Sequence, residues 1–126
     1  MERVLIVDDD QFFANIVSRM FTQLGWQSVV CFSMENGLQM YNPKHIHMII
    51  TDIYMPGMGG IEGIKIFRQT FPDVPIIAMS GGWHGMTGTD TVKAARKIGA
   101  DAGLPKPIAQ GDLENVLSSL KKSEPK

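Results

Sequence analysis

The chain contains a single cysteine, Cys31, among 126 residues, so no internal disulfide can form. Its stability must come from burial, and a reducing, cytoplasmic home is expected. Cys31 itself lies in Val29-Val30-Cys31-Phe32 and reads as a small buried hydrophobe, not a nucleophile. An excess of charge is missing too. The formal net charge is −1 and the pI about 6.3, which argues against nucleic-acid or anionic-membrane binding by bulk charge. Lys121, Lys122 and Lys126 make only a short basic tail. No apolar run is long enough for a signal-peptide core or a membrane span. Repeats and low-complexity linkers are absent, and the length fits one domain with a real core.

What is present is a 44% hydrophobic, 20% charged chain whose apolar runs are short and end in acids. The central one is Ile49-Ile50-Thr51-Asp52, followed by Ile53-Tyr54-Met55-Pro56-Gly57-Met58-Gly59-Gly60. A continuous hydrophobic run reads as a strand covered on both faces. A lone Asp at its C-terminal tip sits where open α/β sheets place ligands. Taken alone, Asp52 reads equally as a cap or turn residue.

The chain alternates strand and helix about five times. Val4–Val7 reads as a buried strand ending in Asp8-Asp9-Asp10. Phe13, Ile16, Val17, Met20, Phe21 and Leu24 recur at helical spacing and predict a helix over 11–24, stopped by Gly25. A second strand is expected over 27–32, then a short helix capped by Ser33 that ends near Asn42-Pro43. His47–Thr51 is the third strand, 60–70 a helix stopped before Pro72, and Val74–Met79 a fourth strand ending at Ser80. A glycine-rich loop holding Trp83 and His84 leads to a helix over 89–98. Ala102-Gly103-Leu104 is a weak fifth strand before Pro105-Lys106-Pro107, and the last helix spans 109–120, with a fraying tail beyond. Such alternation predicts a doubly wound parallel sheet with helices on both faces. The glycine and proline of strand five suit an edge.

In a parallel sheet all strand C-termini share one rim. Strand one delivers Asp8 and Asp9 to it, strand three Asp52, strand four Ser80, and the loop after strand five Lys106. Clustered carboxylates repel unless a cation joins them. Mg2+ prefers oxygen ligands and takes one or two carboxylates together with a phosphate oxygen. Lys106 offers a compact positive charge and Ser80 a neutral donor for phosphate oxygens. The set reads as a site for phosphoryl transfer onto a carboxylate. Singly, each piece is an ordinary helix start, turn lysine or loop serine.

In combination, Ile6-Val7-Asp8-Asp9-Asp10, Asp52 through Gly60, Ser80-Gly81, and Lys106-Pro107 after Gly99-Ala100-Asp101 resemble the receiver domain of two-component response regulators. The resemblance spans nearly the whole chain, with residues 1–122 as the domain and 123–126 as the frayed tail. It implies a flavodoxin-like (βα)5 fold with strand order 2-1-3-4-5. It implies that Asp52 accepts a phosphoryl group from a phosphohistidine on a histidine kinase or phosphotransfer protein. Asp8, Asp9 and Asp52 would hold Mg2+ with the backbone carbonyl of Tyr54, while Ser80 and Lys106 would meet the phosphoryl group. A cis Lys106-Pro107 bond is also implied. The downstream protein target would dock on the helix 4–strand 5–helix 5 face, with the chain a monomer or weak dimer. With no domain after the last helix, output is expected by protein contact, whether the receiver is free-standing or cut from a longer chain.

Two departures stand out. Where the family carries Tyr or Phe, three residues before the lysine, this chain has Gly103. The loop after Ser80 is also longer, and Trp83 either reports on or replaces the missing aromatic, or only packs over the neighbouring helix or touches a partner. Gly103 supports a second reading, a receiver-fold module that signals without phosphate. An enzyme acting on an outside substrate fits less well. A dehalogenase-type phosphatase wants a threonine after its Asp-x-Asp, where this chain has Gln11 and Phe12. A flavodoxin wants a Ser/Thr-rich phosphate loop where this chain has acids. The expected protein is a switch that assists its own phosphorylation and dephosphorylation. His45, His47, His84 and Cys31 form no metal-ligand spacing, and the nine methionines read as core filler.

Overall fold

The computed structural model describes residues 2–81 and 87–123; the loop residues Trp83 and His84 lie outside them. Five parallel strands, β1 (Arg3–Val7), β2 (Gln27–Cys31), β3 (Met48–Asp52), β4 (Ile76–Ser80) and β5 (Ala102–Pro105), lie in the order β2-β1-β3-β4-β5. Helices α1 (Gln11–Gln23), α2 (Met34–Met40), α3 (Gly60–Thr70), α4 (Gly88–Lys97) and α5 (Gln110–Ser123) follow the strands in turn. β5 is an edge, as its glycine and proline require.

The central strands carry β-branched and aliphatic side chains on both faces, so each face needs a cover. On one side Leu5, Val7, Ile49, Ile76 and Ala78 meet Met34 of α2, Ile64 and Phe67 of α3, and Ala95 of α4. On the other, Val4, Ile6, Ile50, Ile77 and Met79 meet Ala14, Val17 and Phe21 of α1 and Leu113 of α5. All five residues of β3 and all five of β4 are buried. Full burial of such side chains supplies roughly 1.5–3 kcal/mol each, which fixes the strand tips against one another.

Several boundaries differ from the sequence expectation, for physical reasons. β4 starts at Ile76, not Val74, because the Val74 amide turns back to the Phe71 carbonyl and Pro75 has no amide to give. Asp101 instead takes the Ile76 amide at 2.8 Å. His47 precedes β3, and its Nδ1 accepts the Arg3 amide at 3.0 Å. Ile16 is 38% exposed, while Ala14, two residues earlier, fills the buried stripe of α1. α5 continues to Ser123, three residues past its expected end at Leu120.

Candidate functional site

The three acids after β1 divide the work. Asp10 is the N-cap of α1, and its Oδ1 accepts the Phe13 amide at 3.0 Å. Asp8 is fully buried, its amide donating to the Cys31 carbonyl and its Oδ1 accepting the Asp10 amide at 3.0 Å. Asp9 is exposed beside it. The sequence placed Asp8 and Asp9 at the rim together with Asp52, and the structure brings the three together. One carboxylate oxygen from each of Asp8, Asp9 and Asp52 lies within 4.8 Å of the others.

Asp52 closes β3 and is 7% exposed. Glycine holds the ground behind it: a Cβ on Gly60, the first residue of α3, would stand 2.2 Å from the Asp52 carbonyl oxygen. The loop can therefore return to the strand tip only through glycine, and the Gly60 amide donates to the Ile53 carbonyl at 2.8 Å. Ser80, the last residue of β4, is fully buried, and its carbonyl accepts the Lys106 amide at 2.8 Å. That bond anchors the Lys106 backbone at the rim. The Lys106-Pro107 peptide is cis, as the resemblance implies.

From there the Lys106 ammonium reaches Asp8 Oδ2 at 2.8 Å and Asp52 Oδ1 at 3.4 Å. Its Nζ also stands 4.3 Å from the centre of the Phe13 ring. Sequence reading saw Phe13 only as a core position of α1. Nothing in its spacing marks it as a neighbour of Lys106, because that contact depends on how α1 packs beside the loop after β5. Tyr54, half-buried, lies in the β3–α3 loop two residues beyond Asp52.

Burial pushes the Asp52 carboxyl up to about 6, with Asp8 adding to the rise and Lys106 opposing it. Three carboxylates against one ammonium leave the cluster negative. An all-oxygen donor set of this kind, with one exposed member open to solvent, fits a hard divalent cation such as Mg2+. Among the described residues this is the one group of three or more His, Cys, Asp or Glu side chains arranged to hold a metal. Burial raises the Cys31 thiol, in keeping with its reading as an inert core residue.

Comparison with known proteins agrees with this geometry. A family model described as the response regulator receiver domain matches residues 4–118. A putative two-component response regulator of Arabidopsis thaliana, ARR21, is 32% identical over 115 residues, covering 90% of this chain and 18% of that protein. The autoinducer 1 sensor kinase/phosphatase LuxN of Vibrio campbellii is 30% identical over 116 residues, covering 92% of this chain and 13% of that protein. The chain thus spans less than a fifth of either. The receiver domain of Francisella response regulator 1452 superposes with a TM-score of 0.82 at 27% identity, covering 98% of this chain and 100% of that one. The receiver domain of NtrX from Brucella abortus shares the fold, with a TM-score of 0.84 at 22% identity over 96% of this chain and 99% of that one.

The raised Asp52 value fixes the sign of a pH effect. With no metal bound, the folded state holds the proton more tightly than the unfolded chain, whose ordinary value is 3.8. Ionising Asp52 therefore costs stability, fully above about pH 6 and not at all well below pH 4. Asp52→Asn is expected to stabilise the metal-free protein at pH 7.5 by on the order of 2 kcal/mol. The gain should shrink as pH falls toward 4, as read from urea unfolding midpoints; an unchanged or lowered midpoint at pH 7.5 would contradict it.

Proposed function

This chain belongs to the response regulator receiver domain family, and from that premise we propose that Asp52 is its phosphoacceptor. The observation that carries this reading is the meeting of Asp8, Asp9 and Asp52 with Lys106 at one rim. Receiver domains are signalling switches that bind Mg2+ at an acidic pocket and exchange signals with histidine kinases or phosphotransfer proteins and with downstream effectors. For this chain, Asp8, Asp9, Asp52 and the Tyr54 carbonyl would hold the ion. When bound, it would offset the negative charge that otherwise repels an anionic phosphoryl group.

The remaining work belongs to the chain. At pH 7 Asp52 is largely ionised despite its raised value, and its burial leaves the carboxylate poorly solvated and ready to attack. An Asp52 oxygen forms the new O–P bond as the N–P bond of a phosphohistidine breaks, the electron pair leaving on the imidazole nitrogen. Lys106 must then exchange part of its contact with Asp8 for a phosphoryl oxygen, a short move for a flexible lysine. Ser80, at the tip of β4, supplies a hydroxyl for another oxygen. The attacking group starts as a fixed neighbour of its electrostatic partners, so little reorganisation precedes the reaction.

The unit is residues 1–122, cytoplasmic, a monomer or weak dimer, signalling through the surface formed by α4, β5 and α5. The second reading, a module that signals without phosphate, rests on Gly103 alone and leaves the buried acid–lysine cluster without a purpose. No helix among the described residues is long and apolar enough to cross a membrane.

Incubation with acetyl phosphate and Mg2+ should add one phosphoryl group to the wild type, read by intact mass. Asp52→Asn should remain unlabelled, and Lys106→Ala should label at least tenfold more slowly. Equal labelling of wild type and Asp52→Asn would overturn the assignment.

A further inference from the structure

Phe13 lies in the first turn of α1, its backbone fixed by the Asp10 cap and its half-buried ring packed on the core between α1, α5 and the sheet. Lys106 carries its charge on a flexible four-carbon stem, and two carboxylates alone would let the ammonium drift toward whichever is more negative. The face of an aromatic ring attracts a cation within about 6 Å, and here the separation is 4.3 Å. The core needs an apolar side chain at this place, but not an aromatic one. We infer that Phe13 is a positioning residue for Lys106. Its ring face steadies the ammonium between Asp8 and Asp52, within reach of a group bound to Asp52.

The inference rests on the phosphoacceptor reading of Asp52, and the test separates the two. Phe13→Leu keeps apolar bulk without a ring, and Phe13→Tyr keeps the ring. Beryllofluoride binding in the presence of Mg2+ is measured by titration calorimetry, with the Lys106 ammonium resonance followed by NMR. Phe13→Leu should weaken binding about fivefold and move that resonance, while Phe13→Tyr stays within about twofold of wild type. Equal effects of both variants, or none, would overturn the positioning role. Failure of the wild type to bind beryllofluoride would overturn the phosphoacceptor reading, and this inference with it.

The seam between α4 and β5 carries an independent feature. A Cβ built on Gly103 would stand 1.5 Å from Val92 Cγ1 and 2.6 Å from Val92 Cβ. Val92, on α4 and 8% exposed, thus occupies the space any side chain at position 103 would need. Gly103 pairs with Ala78 on β4, and Ser80 lies two residues further along that strand. Residues two apart in a strand share a face, so Ser80, Ala78 and Gly103 line the side of the sheet that α4 covers. Ser80 follows Met79, the partner of Asp52 across the sheet, so the rim and the seam under Val92 share one covered face. We propose that α4 is latched to β5 by Val92 over Gly103, and that a group on Asp52 moves α4 as a body. At position 103 no side chain can rotate in its place, because glycine has none.

This too rests on Asp52 as the acceptor. Backbone amide exchange is measured with and without saturating Mg2+ and beryllofluoride. In the wild type the amides of 88–97 should change exchange rate by about threefold or more. Val92→Ala, which leaves the acidic site untouched, should bind beryllofluoride within about threefold of wild type yet lose most of that response. Gly103→Ala, which wedges the seam, should speed α4 exchange before any ligand is added. An unchanged α4 in the saturated wild type, or a full response in Val92→Ala, would overturn the latch. Absence of binding by the wild type would remove its premise as well.

Discussion

The Lys106 ammonium between the Asp8 and Asp52 carboxylates is the contact on which the functional end of the molecule depends. Asp8 is wholly buried and Asp52 nearly so, and two such charges a few ångströms apart are tolerable only with a cation among them. One lysine cannot neutralise three acids. The folded protein therefore keeps excess negative charge at a single place, and burial, more than that charge, holds the Asp52 value up. A site that is costly in the resting protein is one that gains most from a bound cation and a transferred phosphoryl group. Binding to the folded state then returns stability in proportion to affinity.

The rest of the fold serves that contact by fixing distances between chain segments far apart in sequence. Lys106 and Asp8 are 98 residues apart, yet β3 and β4, which lie between β1 and β5, bring both chain segments to one rim, and the Lys106–Ser80 backbone bond fixes the lysine there. The buried residues of β3 and β4 hold those tips in register, and Gly60 lets α3 begin against the Asp52 carbonyl. The same sheet connects this rim to α4, whose Val92 is seated in the hollow left by Gly103. Charge at the rim and the position of a surface helix are thus mechanically close.

Much of this was legible in the sequence. Short aliphatic runs ending in Asp8, Asp52 and Ser80 announce buried parallel strands, and parallel strands put their C-termini at one end. The acids, Ser80 and Lys106 follow from that rule alone, before any resemblance is used. What the sequence could not carry depends on packing. That Asp10 is a cap while Asp8 is buried turns on which way each carboxylate points. The contact of Phe13 with Lys106 depends on the seating of α1 against a loop nearly a hundred residues away. Gly103 was visible as a missing aromatic, but only the three-dimensional fit shows that Val92 has taken its space. Val74 extends the aliphatic run of β4 in sequence, but Pro75 has no amide to pair and Asp101 takes the Ile76 amide, so the strand begins at Ile76.

The most direct test of the acid–lysine centre is a crystal structure of the protein with Mg2+ and beryllofluoride. Beryllium bonded to an Asp52 oxygen is the predicted result. The metal should lie on Asp8 and Asp9, and Lys106 should have moved from Asp8 to a fluoride. Lys106 still paired with Asp8, with beryllofluoride or metal density elsewhere on the molecule, would contradict the account.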